Sequence, residues 1–401
     1  MTKEFKMNKF QSEIEKDSYI CTHYGENPED YHGAVVPPIY ESSLHVFKNY
    51  ETFLEAQKDE QNNYLYWRGT NPTVEIAERK LAALERGDSC KCFTSGMAAI
   101  SAAILTLIRS GDHILTVGNV YGTSLKIMDY LKRKWEVEHT AIVEPSMEKI
   151  EAAIQINTKV ILLESPTTMT FKLINIQEVV SLAKKHGIKT IMDNTWATPL
   201  FQKPLLMGID VVVHSAAKYL SGHSDILAGA VISDQNTIRQ LFDNEFTLFG
   251  GALAPHEAWL LIRGLRTLPI RMGQHQESGL KVSEFLSKHP AVKKVNHPGL
   301  STSKDFQLGK EQLTGYTGTF SFELKNGSFE NIQKCLNRLE IFQIGYSFGS
   351  YESLVLSENN GKNMDKLQIH GIDPGLIRLS IGLESAELLI QDLEQALAEL
   401  D

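Results

Sequence analysis

The stretch Val211-Val212-Val213-His214-Ser215-Ala216-Ala217-Lys218-Tyr219-Leu220-Ser221-Gly222-His223-Ser224-Asp225 carries a lysine directly behind a wall of apolar and small residues. Three valines in a row read as a strand buried on both faces, because β-branched side chains suit a covered, pleated surface. Twenty-five residues upstream of that lysine, Ile191-Met192-Asp193-Asn194 is another apolar strand, and it ends in an acid. An acid and a lysine, each at the end of a parallel-type strand, govern how the rest of the chain is read.

Around them, residues 64–265 alternate short apolar runs with amphipathic stretches. Strands are expected over 89–93, 113–117, 160–163, 188–192, 211–213 and 227–232. Helices are expected over 97–109, with Gly111 as its C-terminal cap, and over 174–186, closed by Gly187. Strand alternating with helix predicts an α/β fold, a mostly parallel sheet with helices on both faces. Such sheets bind ligands outside the carboxyl ends of their strands, where Asp193 and Lys218 fall. Residues 266–401 mix helical stretches (280–288, 386–398) with a strand-like run over 318–324, which predicts a smaller C-terminal α/β domain. Residues 1–63, with Pro37-Pro38 and little periodicity, read as an irregular arm that packs on something other than a core of its own.

The 401 residues are 42% hydrophobic and 22% charged, enough for two domains of a globular protein. A net charge of −9 gives no footprint for nucleic acid or an acidic membrane surface. Cys21, Cys90, Cys92 and Cys335 make no disulfide framework, which favours a reducing compartment. Cys90-Lys91-Cys92 lacks the second ligand pair of a zinc site and reads as two half-buried thiols on one face of a strand. The polar first 18 residues contain no secretion signal, and the apolar runs fall short of a membrane span. A cytoplasmic protein without metal is the expectation.

The acid and the lysine fit pyridoxal 5'-phosphate chemistry: a lysine to hold the aldehyde as a Schiff base, a carboxylate to keep the pyridine nitrogen protonated. The phosphate of such a cofactor needs backbone N–H donors at a helix start. Ser95-Gly96-Met97-Ala98 follows a strand and opens a helix, with Gly96 allowing close approach. Ser215 could add a hydroxyl. Arg68, in the turn-rich Tyr66-Trp67-Arg68-Gly69-Thr70-Asn71-Pro72-Thr73, is a candidate phosphate ligand, although taken alone it reads as a solvated surface arginine. Tyr121 in Gly118-Asn119-Val120-Tyr121-Gly122 could stack on the ring; a loop or core tyrosine is the equal alternative. Arg378, enclosed in Leu376-Ile377-Arg378-Leu379-Ser380, either pairs with an internal acid or awaits a substrate carboxylate. No G-x-G-x-x-G run follows the first strand of the large domain, which disfavours a dinucleotide-binding dehydrogenase.

These residues resemble the Cys/Met-metabolism family of fold-type I PLP-dependent enzymes, which includes cystathionine β- and γ-lyases, cystathionine γ-synthase, methionine γ-lyase and O-acylhomoserine sulfhydrylases. The resemblance runs from Gly33-Ala34-Val35-Val36-Pro37-Pro38-Ile39-Tyr40 through Tyr66-x-Arg68, Ser95-Gly96-Met97-Ala98, Asp193-Asn194-Thr195, the lysine stretch and Arg263-Gly264-Leu265-Arg266-Thr267-Leu268, to Arg378-Leu379-Ser380-Ile381-Gly382-Leu383-Glu384. It implies that Lys218 carries the cofactor, Asp193 pairs with the ring nitrogen and Tyr121 stacks. Gly96, Met97 and Ser215 would line the phosphate site. Tyr66 and Arg68 would reach the phosphate in a neighbouring subunit, which the arm 1–63 would also contact. Arg378, with Ser347 and Tyr121, would bind the substrate. A homotetramer built from dimers with shared active sites is implied.

Within the family, Asp193-Asn194-Thr195-Trp196-Ala197, Glu164-Ser165-Pro166-Thr167-Thr168-Met169-Thr170 and Gly345-Tyr346-Ser347-Phe348-Gly349-Ser350-Tyr351-Glu352-Ser353-Leu354 look like bacterial cystathionine β-lyase. The resemblance therefore implies β-elimination of the small sulfur amino acid L-cystathionine, with cysteine or cystine as further candidates, to homocysteine, pyruvate and ammonia, a transsulfuration step of methionine biosynthesis. The alternatives are a γ-enzyme of the same family and, more remotely, a catalytically idle binding or regulatory protein. Some residues depart from the pattern: Phe348 replaces a tryptophan, Ala217 replaces a threonine, Trp67 stands where a small residue or glycine is usual, and Thr70-Asn71-Pro72-Thr73 looks more like the γ-enzymes.

Overall fold

A computed structural model describes residues 10, 12–398 and 400. The apolar runs become β1 (Ser89–Phe93), β2 (His113–Val117), β3 (Glu138–Ile142), β4 (Thr158–Glu164), β5 (Lys189–Asp193), β6 (Val211–Ser215) and β7 (Gly229–Ser233). They form a 7-stranded sheet in the order β1-β7-β6-β5-β4-β2-β3. Strands β3, β2, β4, β5 and β6 pair parallel, while β7 runs antiparallel to both β6 and β1.

Alternation along each strand sends successive side chains to opposite faces. Ile191, Val211 and Val213 join Ile114, Val160, Leu162 and Val231 in one core, packed on Ala99, Ala103 and Ile104 of helix Gly96–Leu107. Met192 and Val212 join Leu115, Val117, Ile161 and Leu163 in another, packed on Val179, Val180 and Ala183 of helix Ile176–His186. Two covered faces explain why these strands read as continuous apolar runs. The α/β expectation, a mostly parallel sheet with helices on both faces, describes the protein.

A second, 5-stranded sheet contains β8 (Val292–Asn296), β9 (Thr319–Leu324), β10 (Gln343–Ile344), β11 (Leu354–Leu356) and β12 (Leu376–Ser380), in the order β10-β11-β12-β9-β8. Its apolar face, with Phe320, Phe322, Leu324, Ile377 and Leu379, packs on residues of helices Leu268–Lys288, Phe329–Arg338 and Ala386–Leu397. The alternate residues of β9 meet the loops that follow the strands of the first sheet. Thr319 O accepts from Trp196 Nε1 at 2.7 Å, Thr319 Oγ1 bonds the Tyr219 hydroxyl at 2.8 Å, and Ser321 Oγ donates to Met169 O at 2.7 Å. Arg378 lies opposite Ser321 in the β12–β9 register, so this docking brings it to the carboxyl end of the first sheet.

Three local expectations are corrected. The arm is not irregular throughout: Glu13–Thr22 is a helix that buries Asp17, Ile20 and Cys21. Its inward acid, Asp17, pairs with Arg86 at 2.7 Å and Lys203 at 2.8 Å. Those cations lie far along the chain, so the charged pattern hid the buried face. Gly111 does not cap the 97–109 helix. That helix ends at Leu107, and Ile108 turns extended to bury itself in the core, leaving Gly111 (φ 81°) to the turn before β2. The thiols of Cys90 and Cys92 are buried, not half-buried, because helix Pro72–Glu85 covers their face of β1.

Candidate active site

Parallel register places Glu164 and Asp193 side by side at the carboxyl ends of β4 and β5, with Val213 of β6 next in line. Asp193 Oδ1 accepts from the Thr195 amide at 2.9 Å and its hydroxyl at 2.5 Å. The Thr195 hydroxyl oxygen in turn accepts from the Ser215 amide at 2.8 Å. Asp193 is therefore locked to the last residue of β6. Burial raises its pKa, while the Thr195 bonds, His214 and Lys218 pull the other way.

Next to Ser215 stands the start of helix Gly96–Leu107. Ser95 caps it by accepting the Ala98 amide at 3.1 Å, which leaves the Gly96 and Met97 amides without intrahelical partners. A Cβ at Gly96 would meet the Ser215 Cβ at 2.8 Å and Cα at 3.0 Å, so only glycine lets the helix start approach β6 this closely. Gly96, Met97 and Ser215 thus meet in one corner with the helix dipole behind it.

Lys218 lies beyond β6, half-buried, and its Nζ donates to Ser347 Oγ at 2.8 Å. The ammonium also stands 5.4 Å from the Phe348 ring centroid. Burial lowers its pKa, and the Arg378 charge lowers it further against the opposing pull of Asp193. Arg378 Nη2 donates to Ser347 O at 2.8 Å. Its Nε is buried without a partner, and no ion pair engages it among the described residues. Burial brings its pKa down to about 10. Of the two readings of Arg378, an internal acid partner is not found within hydrogen-bond reach among the described residues. Ser347 joins the lysine and the arginine through its hydroxyl and carbonyl.

Tyr121 precedes helix Gly122–Trp135 and is 51% exposed, so it is no core tyrosine. Its amide donates to Glu164 Oε1 at 2.5 Å. Sequence reasoning missed Glu164 as a site residue, although Val160-Ile161-Leu162-Leu163-Glu164 carries the same signal as Asp193, an acid closing an apolar strand. Burial and the neighbouring Asp193 carboxylate push Glu164 up to about 8.

Tyr66 and Arg68 are exposed; the guanidinium lies 5.3 Å from the tyrosine ring centroid. No hydrogen bond or ion pair ties either of them to Lys218, Asp193 or Ser215 among the described residues. Phe348 turns inward, its ring 5.9 Å from that of Tyr219. Ala217 offers the corner no hydroxyl; its amide donates to Ala228 O at 3.3 Å.

The arrangement meets the needs of pyridoxal phosphate: free helix amides for the phosphate, an acid for the ring nitrogen, an amine of lowered pKa for the aldehyde, and an unpaired guanidinium for an amino-acid carboxylate. Comparison with known proteins agrees. The family model described as Cys/Met metabolism PLP-dependent enzyme matches residues 19–398. The L-methionine gamma-lyase of Fusobacterium nucleatum is 37% identical over 92% of this chain and 95% of its own. The cystathionine gamma-lyase of Bacillus subtilis is 36% identical over 96% and 100%. The cystathionine beta-lyase MetC of the same organism is 38% identical over 92% and 93%.

Proposed function

The chain belongs to the Cys/Met-metabolism family of PLP-dependent enzymes, and within it we propose a carbon–sulfur lyase that removes the thiol from Cβ of L-cystathionine. The single observation that carries the lyase reading is Ser347 between Lys218 Nζ and Arg378 Nη2, at 2.8 Å from each. It supports the reading because an amine and a guanidinium with no acid partner among the described residues share one serine.

Arg378 binds the substrate carboxylate and fixes the direction of the Cα–H bond. The bound cofactor supplies the electron sink that makes that hydrogen acidic. Lys218, whose pKa burial lowers, takes the Cα proton and delivers a proton to the leaving sulfur. Asp193 keeps the proton on the ring nitrogen, and Tyr121 covers the ring face. Gly96, Met97 and Ser215 hold the phosphate. With one water consumed, the products are homocysteine, pyruvate and ammonia.

The stretches Glu164–Thr170 and 345–354 support cleavage at Cβ. The names of the Fusobacterium relative and of one Bacillus relative favour the second reading, γ-elimination, in which a further proton leaves Cβ. Either lyase gives a thiol and a 2-oxo acid from L-cystathionine with wild-type protein, and neither product with Lys218→Ala. A wild type that forms neither would overturn the lyase reading.

Shared active sites are the proposed reason for the exposed arm. Val35 is 84% exposed and Val46 89% exposed, with Tyr40, Leu44, Tyr50 and Tyr66 also open, more apolar surface than one chain leaves bare without a partner. A second copy that covers this strip, with Tyr66 and Arg68 completing its phosphate corner, gives a dimer that pairs into a tetramer. The domain division is proposed as arm 1–63, cofactor domain 64–265 and C-terminal domain 266–401. Four buried free cysteines suit a cytoplasmic setting.

A further inference from the structure

The end of β4 clasps the loop that presents Tyr121. Glu164 Oε1 accepts the Tyr121 amide at 2.5 Å, and Glu164 Oε2 accepts the Thr168 hydroxyl at 2.8 Å. The Thr168 amide donates to Asn119 O at 2.8 Å. Gly118 (φ 78°) lies so close that a Cβ there would stand 2.5 Å from Thr167 Cγ2. Residues 118–121 are thus docked along 164–168. Glu164 also stands beside Asp193 in the β4–β5 register, and it is 8% exposed. Two adjacent carboxyls in one buried place do not both ionise readily. Burial raises the Asp193 pKa, but the Thr195 bonds, His214 and Lys218 all favour its charged form. Glu164 has only neutral partners: the Tyr121 amide, and the hydroxyl and backbone of Thr168.

We propose that Glu164 is a positioning residue: as an uncharged carboxylic acid it fixes Tyr121 through the Tyr121 backbone and leaves the negative charge of this sheet end to Asp193. Oε1 accepts from Tyr121 in either protonation state. A proton on Oε2 reverses the second bond, with the Thr168 oxygen accepting. Glutamine reproduces that pattern, its carbonyl taking the Tyr121 amide and its NH2 reaching Thr168. Alanine removes both bonds and leaves the Tyr121 amide unpaired. The inference rests on the roles proposed above for Tyr121 and Asp193.

The test is amide hydrogen exchange over residues 118–124 in cofactor-free protein, with kcat and KM of the loaded enzyme measured alongside. E164A is expected to speed exchange at Tyr121 roughly tenfold, the ratio for a lost hydrogen bond of about 1.4 kcal/mol, and to lower kcat more than it raises KM. E164Q is expected to match the wild type in exchange and in kcat. Wild-type exchange in E164A would overturn the clasp, and E164Q as impaired as E164A would overturn the uncharged acid. If E164A does not fold, E164Q alone decides. Exchange in the cofactor-free protein involves no substrate, so a wrong substrate assignment leaves that result standing.

Discussion

Lys218 is set apart from other lysines by its surroundings rather than by its chemistry. Burial disfavours the ammonium, and the Arg378 guanidinium repels it, while Asp193 holds it back. The sign of each effect is testable in cofactor-free protein by competitive acylation across pH. Lys218 is expected to react with an apparent pKa below the ordinary value of about 10.4. Arg378→Ala removes a positive neighbour and should raise that pKa; Asp193→Asn removes a negative one and should lower it further. No movement in either variant would mean that the three groups do not share a field. At this scale the sequence singled out Lys218, Asp193 and Arg378 as candidates, because each interrupts or ends an apolar run. It did not identify Glu164, whose importance depends on which strand lies next to it, nor Thr195, whose hydroxyl matters only because β6 ends beside it.

The elements that build the site are the start of one helix and the ends of three strands. Gly96 is the tightest point between them, since an added Cβ meets the Ser215 backbone and side chain within 3.0 Å. Gly96→Ala forces helix and strand apart at a cost of about 1–3 kcal/mol. Cofactor affinity, measured by absorbance titration, should fall roughly ten- to a hundredfold; unchanged affinity would remove this corner from the phosphate site. Strands were legible because runs such as Val211-Val212-Val213 are covered on both faces and need no partner to be recognised. The Glu13–Thr22 helix was not, since Asp17 is an inward residue only once Arg86 and Lys203 meet it. The end of helix Gly96–Leu107 was misplaced because Ile108 gains more from the core than from another helical turn.

The whole molecule joins two sheets through β9, and that junction brings Arg378 of the neighbouring β12, the proposed carboxylate receptor, toward the carboxyl end of the first sheet. A second copy is proposed to cover the exposed strip of the arm. If Tyr66 and Arg68 serve the neighbour, a hybrid of Arg68→Ala and Lys218→Ala subunits contains one site with every residue intact. Mixing the two inactive variants under conditions that exchange subunits should restore part of the activity. No recovery, with hybrids shown by native mass spectrometry, would place Arg68 in the site of its own chain or outside any site.

The proposed reaction at this site is cleavage of the bond between Cβ and sulfur. The most direct measurement is the carbon count of the 2-oxo acid released from L-cystathionine by the cofactor-loaded enzyme. Pyruvate with homocysteine is the predicted result. 2-Oxobutyrate with cysteine would contradict it and assign the chain to γ-elimination.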